Sequence, residues 1–581
     1  MNNKFQYILF LFFTFPVFLY SQTSDTSKSS LNIPVDIPVY LSGNFGELRS
    51  GHLHAGIDVK TNGRSGYKIN AIQDGYVSRI KISEGGYGKA LYINHPQQDL
   101  TSVYAHLQSF PEEIEKYILD NQYRRKSYEI ELFPEKNKFK VKKGDLIGFT
   151  GNSGSSKGPH LHFEIRSQHN QHPLNPLKRG INIEDNIAPK IFQAALYPES
   201  NKSTINNSTE KLILNTKKSS GNKYKLHDED TIELHGPISF GIKTNDFING
   251  SNNWCGVYEI ELLIDDVSIY NHTIDEFSFQ NTRYINAIID YEEKIRKNNT
   301  VQKLSLLPNN RLNIYKNVKN KGIYNFTTNN IHDVTYKLTD EKGNTSSLSF
   351  KVKGSSQPPV KLKDSATNTY DAILPYNQNN EFEKEDIKID FPVNAFYDTV
   401  YFQYNKIKSS NHIFFSDIHR LHKPYIPVHK NFSLSIKTKP LNSYLKNKVF
   451  IARIDEENNY NYMGGDFRNG TITTQIREFG DYAVLADTIS PVIEPLNNIN
   501  KITNKQKISF KIKDELSGIK TYNGYIDGEW VLFEYDPKND IIYHDLDKSP
   551  VKLNNKHELE LYVSDNKDNI ATYYTEFEIQ Q

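Results

Sequence analysis

The sequence predicts a mainly β protein: an antiparallel β-sheet domain followed by about three β-sandwich modules of immunoglobulin-like type. The first observation behind this prediction is composition, because 12% of the 581 residues are aromatic, with 37 Tyr and 32 Phe. Aromatic residues that recur at short alternating intervals with Thr, Ile and Val favour strands. The second observation is that short strand-like runs with glycine turns between them fill the first domain.

These runs predict the strands of the first domain in chain order. Each alternates apolar and polar residues or forms a short apolar run, and a turn residue lies at one end. The predicted strands are Tyr67–Ala71, Gly75–Ile82, Lys89–Asn94, Thr101–His106, Asp145–Thr150 and Leu161–Arg166.

Residues 108–140 form an insert in this strand pattern. Ser109 and Glu112 have the spacing of a capping box, and Pro111 suits the first turn of a helix. Apolar positions at i, i+3 and i+4 then predict a helix over Pro111–Gln122, and alternation over 128–132 predicts an edge strand. The insert either walls one end of a binding groove or packs on the sheet as a surface decoration.

A chain of 581 residues is too long for one core and predicts about three or four domains. Pro189-Lys-Ile191 and Pro491-Val-Ile493 open two segments that end in similar hairpins after Asp340 and Asp565. This weak internal repeat predicts two related sandwiches. The predicted units are 37–186 with the insert 108–140, a sandwich over 187–353, a linker over 354–379, a β-rich module over 380–487 and a sandwich over 488–581.

The N-terminus has the pattern of a secretory signal. Lys4 precedes the apolar run Tyr7–Tyr20, which is short for a membrane span of about 20 residues. We therefore expect a cleaved signal peptide over 1–22 and a leader over 23–36; an uncleaved anchor is the alternative. The mature chain, with no further span, would be exported to the periplasm or cell envelope, or secreted.

Charge and cysteine content exclude some classes. The 70 basic and 69 acidic residues nearly cancel, so the chain has no broad positive field for nucleic acid. Cys255 is the only cysteine, which excludes an intramolecular disulfide and predicts a buried thiol. The acidic turn Asp514–Gly518 lacks the regular oxygen spacing of a calcium loop and is predicted to be a plain turn.

Three segments of the first domain carry metal-ligand residue types. His160 and His162 lie two apart in a predicted strand and therefore on one face. His54 and Asp58 flank Gly56, which permits a close backbone approach. A catalytic zinc site needs three nitrogen or oxygen ligands and an open position for water.

The spacing leaves choices open. His106 adds an imidazole between the two segments, and His52 lies where it could replace His54 as a ligand. His95 follows an apolar strand and is predicted to be structural.

The order of these segments resembles that of the lysostaphin/LytM-type zinc endopeptidases, most of all the Bacteroidetes variety with β-sandwich modules after the catalytic domain. The resemblance covers about 37–180, roughly a quarter of the chain. It rests on Asn44–Arg49, His54–Asp58, Gly75–Val77, Tyr104–Leu107, Val141–Asp145 and Gly151–Glu164.

The resemblance implies a role for each site residue. One Zn²⁺ would be held in the catalytic domain, and one of the two non-ligand histidines would take a proton from water while the other steadies the oxyanion. The sequence does not decide between them, although we expect His160 to be the base. The implied zinc ligands are His54, Asp58 and His162; the catalytic histidines are His106 and His160; and Tyr104 and Asn152 would contact substrate.

The function implied by the resemblance is zinc-dependent hydrolysis of peptide cross-links in peptidoglycan during cell-wall remodelling, with a zinc-activated water as nucleophile. The expected bond joins D-alanine to meso-diaminopimelate. Stem peptides would be the substrate, and the β modules could bind a protein partner. The alternatives are a catalytically silent or occluded regulator that activates other cell-wall hydrolases, and a general protease.

Overall fold

The computed structural model describes residues 31–228, 231–357, 369–499, 501–503, 505–551 and 556–580. The predicted signal peptide 1–22 and residues 23–30 of the predicted leader lie outside the described residues. The protein is mainly β, as the sequence predicts, and its four largest hydrophobic cores follow one another along the chain.

The N-terminal domain contains one long antiparallel sheet, a three-stranded sheet, the two-stranded sheet β2–β3 and one α-helix. The strand predictions for this domain are confirmed to within one or two residues. The elements are β1 Leu41–Gly43, β2 Leu48–Arg49, β3 His52–Leu53, β4 Ile57–Lys60, β5 Lys68–Asn70, β6 Gly75–Ile82, β7 Lys89–His95, β8 Leu100–Ala105, β9 Leu107–Ser109, α1 Glu112–Arg125, β10 Ile130–Leu132, β11 Lys140–Val141, β12 Leu146–Thr150, β13 His160–Ser167 and β14 Pro173–Leu174.

The long sheet has the order β1-β4-β13-β8-β7-β6-β10, and β5, β12 and β9 form the three-stranded sheet. Strand β13 lies between β4 and β8, where His162 pairs with Asp58 on one side and with Ala105 on the other. Leu161, Phe163 and Ile165 are fully buried in the core beneath the sheet. Because side chains alternate along a strand, the polar residues of β13 lie together on the opposite face.

The insert contains the predicted helix and edge strand, but the helix begins differently. Pro111 is the N-cap of α1 and makes no side-chain cap bond, so the capping box at Ser109 is wrong. Instead the Glu115 carboxylate accepts a hydrogen bond from the Phe110 N–H at 2.8 Å. Proline supplies no side-chain acceptor, so a glutamate one turn into the helix satisfies a free N–H.

The second group of strands forms the first module, defined here as β15 to β27. Its sheet has 13 strands, and the excursion between β22 and β24 carries the helix α2. In order the elements are β15 Lys190–Pro198, β16 Thr204–Ile205, β17 Leu212–Ser220, β18 Lys223–Leu226, β19 Ile232–Phe247, β20 Trp254–Cys255, β21 Glu259–Ile264, β22 Val267–Thr273, α2 Tyr291–Lys297, β23 Gln302–Lys303, β24 Tyr315–Val318, β25 Ile323–Phe326, β26 Ile331–Thr339 and β27 Thr345–Gly354.

The second module, β28 to β39, has two five-stranded sheets that share one core. Strand β28 pairs with β31 and so belongs to this module, although it lies inside the predicted linker 354–379. The linker is therefore shorter than predicted. Residues 358–368 lie outside the described residues. The strands are β28 Ala372–Leu374, β29 Asn380–Lys384, β30 Ile387–Phe391, β31 Val400–Phe402, β32 Tyr404–Ile407, β33 Ile418–Leu421, β34 Phe432–Lys437, β35 Val449–Ile454, β36 Tyr460–Tyr462, β37 Asp466–Arg468, β38 Thr471–Ile476 and β39 Gly480–Ala486.

The third module, β40 to β48, packs a four-stranded sheet and a five-stranded sheet on one core. The two predicted closing hairpins are confirmed as β26–β27 in the first module and β47–β48 in the third. The strands are β40 Val492–Pro495, β41 Lys501–Thr503, β42 Lys507–Lys513, β43 Ile519–Ile526, β44 Glu529–Val531, β45 Glu534–Asp536, β46 Ile541–Asp545, β47 Lys556–Asp565 and β48 Ile570–Gln580.

The third module contacts the N-terminal domain at the insert. Trp530 packs edge-on against Tyr123 of α1, with ring centroids 5.6 Å apart. Beside the insert, Lys89 of β7 forms an ion pair of 2.8 Å with Glu534, and the two side chains are 13% and 12% exposed. The insert thus packs on the sheet and also forms part of the surface that the third module covers. Among the described residues, no helix is both long and apolar enough to cross a membrane.

Cys255 is a free thiol buried in the core, as predicted. Burial raises its pKa well above that of an exposed thiol, so the reactive thiolate is scarce. We expect the native protein to leave a thiol reagent such as Ellman's reagent unreacted and to titrate one thiol per chain in denaturant. Rapid modification of the native chain would contradict this burial.

Candidate metal centre

His54, Asp58 and His162 converge above the centre of the long sheet. The Nε2 atom of His54, the Nδ1 atom of His162 and the Oδ1 atom of Asp58 form a triangle. Its edges are 3.0 Å between the two nitrogens, 3.1 Å from His54 to Asp58 and 2.9 Å from His162 to Asp58. All three side chains are buried, so the triangle is shielded from bulk water.

The hydrogen-bond partners of the two imidazoles fix where their protons lie. The Nδ1 atom of His54 is 2.7 Å from the Asn44 carbonyl oxygen, which can only accept. The Nε2 atom of His162 is 2.8 Å from a Glu164 carboxylate oxygen. Each ring therefore donates outward, and its second nitrogen faces inward, where it can bind a metal ion. Burial lowers the pKa of His162, but its hydrogen bonds to Asp58 and Glu164 outweigh burial and raise this pKa to about 9, so a proton or a metal cation offsets the crowding of the three atoms.

The dimensions of the triangle fit a zinc ion. Zinc binds imidazole nitrogen at about 2.0–2.1 Å in tetrahedral geometry, which places neighbouring ligand atoms about 3.3 Å apart. The observed edges of 2.9–3.1 Å are close to that value. Two imidazoles and one carboxylate are also a ligand set that catalytic zinc sites use.

His106 and His160 lie beside the triangle. Their ring centroids are 4.8 Å apart, and the Nε2 atom of His160 is 3.5 Å from Oδ1 of Asp58. His106 donates from Nδ1 to the Ser153 carbonyl at 2.9 Å, and His160 donates from Nδ1 to the Gly158 carbonyl at 2.9 Å. Both rings thus present an unprotonated Nε2, which is the atom that accepts a proton.

His106 is held in an unusual backbone conformation. Its φ of 61° lies in the left-handed region, which a residue with a side chain adopts at a cost and which recurs at functional sites. Burial, together with His162 and His160, lowers the pKa of His106 to about 3. The ring is therefore neutral near pH 7, whereas His160, with 17% of its side chain exposed, is the ring that solvent reaches.

A second set of polar side chains supports the ligands. Glu164 accepts from Arg166 at 2.6 Å and from the Tyr87 hydroxyl. Burial raises the pKa of Glu164, but the charges and hydrogen bonds of Arg166 and His162 together outweigh burial and lower this pKa to about 2. On the other side of the site, Arg49 donates to the free oxygen of Asp58 at 2.5 Å.

Sequence reasoning assigned no role to Glu164, Arg166 or Arg49. The signal for the first two was present, because positions 162, 164 and 166 share one face of a strand. No comparable signal existed for Arg49 or for the Asn44 carbonyl, which reach the site only because β2 and β3 fold back over it.

The turn that carries these two residues is clamped by the first module. Asn44 exchanges hydrogen bonds of 2.7 and 2.8 Å with the backbone of Gly256. The Leu53 N–H donates to the Thr282 hydroxyl at 2.6 Å. Gly56 meets its predicted requirement for close approach, since a Cβ there would lie 2.2 Å from the Phe163 carbonyl oxygen.

The remaining predicted residues fall in different places. Tyr104 is fully buried in the core, where its hydroxyl accepts a hydrogen bond from the Ile72 N–H; its contact with substrate stays a prediction. Asn152 lies beside the third module, where its carbonyl accepts from Lys538. His52 is exposed and lies outside the triangle. His95 is buried, and its ring is hydrogen-bonded to the Ser102 hydroxyl and the Asp74 carbonyl.

The comparison with family models adds a name to this geometry. Residues 129–176, which include β13 and both of its histidines, match the model described as peptidase family M23. The chain carries an M23 peptidase domain. A second model, described as a Zu5-like domain, matches residues 371–487, which span the second module.

Two relatives illustrate the range of likeness to the M23 domain. The "DD-carboxypeptidase/endopeptidase Mpg" of Neisseria meningitidis is 32% identical over 155 residues, which are 26% of this chain and 29% of that protein. An "uncharacterized metalloprotease" of Haemophilus influenzae is 28% identical over 165 residues, 27% of this chain and 29% of that protein. The chain thus spans less than a third of the length of these relatives.

One solved structure is the catalytic domain of the prophage-encoded M23 protein EnpA from Enterococcus faecalis. The match is 26% identical in sequence and covers 24% of this chain and 89% of the EnpA chain, with a TM-score of 0.18.

Proposed function

We propose that the M23 domain is a zinc-dependent endopeptidase that hydrolyses peptide cross-links of peptidoglycan. The observation that carries this proposal is the triangle of ligand atoms on His54, Asp58 and His162. The substrate class is supported by the likeness to Mpg, which is named as a DD-carboxypeptidase and endopeptidase. Such an enzyme would act in the cell envelope or outside the cell, as the sequence also leads us to expect.

A zinc ion bound by the triangle would supply Lewis acidity that polarises a peptide carbonyl and lowers the pKa of a water molecule. The chain's own residues would orient the ligand side chains and move protons. Glu164 and the Asn44 carbonyl hold the two ligand rings in the correct tautomer, and Arg49 fixes the Asp58 carboxylate. This support removes the need to reorganise the site during the reaction.

His160 is the proposed general base. Its Nδ1 proton is engaged by the Gly158 carbonyl, which leaves Nε2 free to take a proton from the attacking water and then to pass it to the leaving amine. His106 stays neutral because of its burial and faces the same space. We assign it to the oxyanion, to which its Nε2 donates a hydrogen bond once that atom has taken up a proton from solvent in response to the developing negative charge.

Metal removal tests the proposal. The chelated chain (residues 23–581) should leave purified cross-linked peptidoglycan intact, and one equivalent of Zn²⁺ should restore the conversion of cross-linked dimers to monomers. Mg²⁺ should not restore it, because magnesium prefers six oxygen ligands. Casein and pentaglycine, digested in parallel, separate a cell-wall enzyme from a general protease.

The opposite result favours a different function. A zinc-loaded chain that leaves every peptide intact would contradict the enzyme and support a regulator of other cell-wall hydrolases. The structural basis for occlusion would then be the third module, whose Lys538 binds the carbonyl of Asn152 next to the Ser153 carbonyl that holds His106. Release of activity by Lys538→Ala would identify that contact as the block.

A further inference from the structure

A second group of ligand atoms lies far along the chain from the zinc ligands. Asp185, Asp246 and Asp340 each offer a carboxylate oxygen, and these oxygens lie within 4.8 Å of one another. The three residues come from different segments: the chain leaving the M23 domain, the end of β19, and the turn after β26. Asp246 and Asp340 are buried, so water does not screen their charges.

Asp246 has no partner for its charge. The side chain is 0% exposed, and neither carboxylate oxygen has a hydrogen-bond partner; the Phe247 N–H approaches it without completing a hydrogen bond. Within the described ranges, none of the three aspartates forms an ion pair with Lys, Arg or His. A buried, unpaired carboxylate beside two others is strongly unfavourable unless a proton or a bound cation neutralises it.

The pKa values reflect the same crowding of negative charge. Burial, followed by the charges of Glu341 and Asp340, raises the pKa of Asp246 to about 9. Burial also raises the pKa of Asp185 to about 6. Carboxylates in this state gain most from a cation that binds directly between them.

Hydrogen bonds orient the other two carboxylates. Oδ1 of Asp340 accepts the backbone N–H groups of Lys342 and Asn344, each at 2.8 Å. The Asn344 amide donates to Oδ2 of Asp340 at 2.7 Å and to the Asp185 carbonyl at 3.2 Å. The turn is thereby tied to the segment that leaves the M23 domain.

The third module repeats this arrangement with Asp487, Asp514 and Asp565, whose ligand oxygens also lie within 4.8 Å of one another. Asp565 accepts the N–H groups of Lys567 and Asn569 at 2.7 and 2.9 Å.

The amide of Asn569 completes the repeat: it donates to Asp565 at 2.6 Å and to the Asp487 carbonyl at 3.2 Å. These bonds match those of Asn344 partner for partner, although more than 200 residues separate the two turns.

The second cluster has its own unpaired group. The N–H of Ser517 donates to Asp487 at 3.1 Å and to Asp514 at 2.9 Å, so this residue sits between two of the carboxylates. Its hydroxyl is buried and has no hydrogen-bond partner. A bound cation would give that oxygen, like the Asp246 carboxylate, a partner.

We propose that each of these two clusters binds one calcium ion, at the end of the module that faces the preceding domain. Calcium takes six to eight oxygen ligands at about 2.3–2.6 Å, so ligand oxygens up to about 5 Å apart can share one ion. Both clusters offer carboxylate oxygens, the second lies beside the Ser517 hydroxyl, and neither contains a histidine or cysteine, so oxygen ligands of the calcium type are the ones present.

The first calcium site would stiffen the junction that supports the zinc ligands. Asp185 belongs to the segment leaving the M23 domain, and Glu341 follows Asp340 in the turn. Glu341 accepts from the Asn44 amide at 3.1 Å, and the Asn44 carbonyl holds His54. The ion would therefore hold in place the turn whose Glu341 contacts Asn44 of the M23 domain.

The test is titration of the zinc-loaded full chain with CaCl₂ in calcium-free buffer, by calorimetry and by melting temperature. We expect two calcium ions per chain and a rise in melting temperature. Asp246→Asn should lose one ion and Asp514→Asn the other. The matched control Asp333→Asn, which changes an exposed aspartate of the first module paired with Lys351, should retain both.

The sign of the stability change separates calcium binding from a purely structural role. Without calcium, Asp246→Asn should be about as stable as the wild type, because the raised pKa of Asp246 leaves its buried carboxyl neutral near pH 7 and asparagine is neutral too; with calcium it should be less stable. Destabilisation by the same amount in both buffers, or unchanged stoichiometry, would overturn the first site, and unchanged stoichiometry in Asp514→Asn would overturn the second. Equal affinity for MgCl₂ would overturn the assignment to calcium. None of these readouts depends on peptidase activity.

Discussion

Replacing His162 by alanine is expected to abolish both zinc binding and peptidoglycan hydrolysis. The Nδ1 atom of His162 forms two edges of the triangle, at 3.0 Å to His54 and 2.9 Å to Asp58. Two protein ligands cannot hold a catalytic zinc ion that needs three. Zinc content of the purified variant by mass spectrometry and release of muropeptide monomers should both fall to background.

His52→Ala is the matched control for this variant. His52 lies two residues from a ligand, but it is exposed and its ring is hydrogen-bonded to the Ser50 carbonyl rather than to the triangle. It should retain one zinc per chain and full activity. If His52→Ala lost zinc while His162→Ala kept it, the assignment of the triangle would be wrong.

Glu164→Gln is expected to have the largest effect on stability. Glu164 and Arg166 form a buried ion pair, with side chains 0% and 8% exposed. Removing one charge leaves the guanidinium buried and unpaired, which typically costs about 3–5 kcal/mol. Because Glu164 also holds the His162 tautomer, zinc affinity should fall by about 10–100-fold. Thermal unfolding and a competitive zinc titration measure the two effects separately.

The exposed pair Arg79–Glu131 provides the comparison. Its geometry is similar, at 2.5 Å, but the two side chains are 29% and 40% exposed. Glu131→Gln should therefore change stability by no more than about 1 kcal/mol and leave zinc affinity unchanged. A Glu164→Gln chain that behaved like Glu131→Gln would show that the buried pair supports neither the fold nor the ligand.

Much of the N-terminal domain could be predicted from local pattern. The six strands follow from alternation and glycine turns, because side-chain period and turn chemistry are properties of a few consecutive residues. The capping box failed because Ser109 ends strand β9 and the helix begins only at Glu112, with Pro111 as its N-cap; only the packed structure shows that Glu115 satisfies the Phe110 N–H. The buried ring of Tyr104 shows the same limit, since the face that a strand residue occupies depends on what covers each side.

The sequence by itself determined a mainly β chain, the two motif segments that carry His54, Asp58 and His162, and the repeated hairpins of the first and third modules. The tertiary structure alone decided which lone pairs converge, how Arg49 and the Asn44 carbonyl support them, and that six aspartates from six separate segments form two clusters. The physical reason is that a ligand site depends on distances of a few ångströms between segments far apart in sequence. Those distances are set by packing of the whole chain, which no local pattern contains.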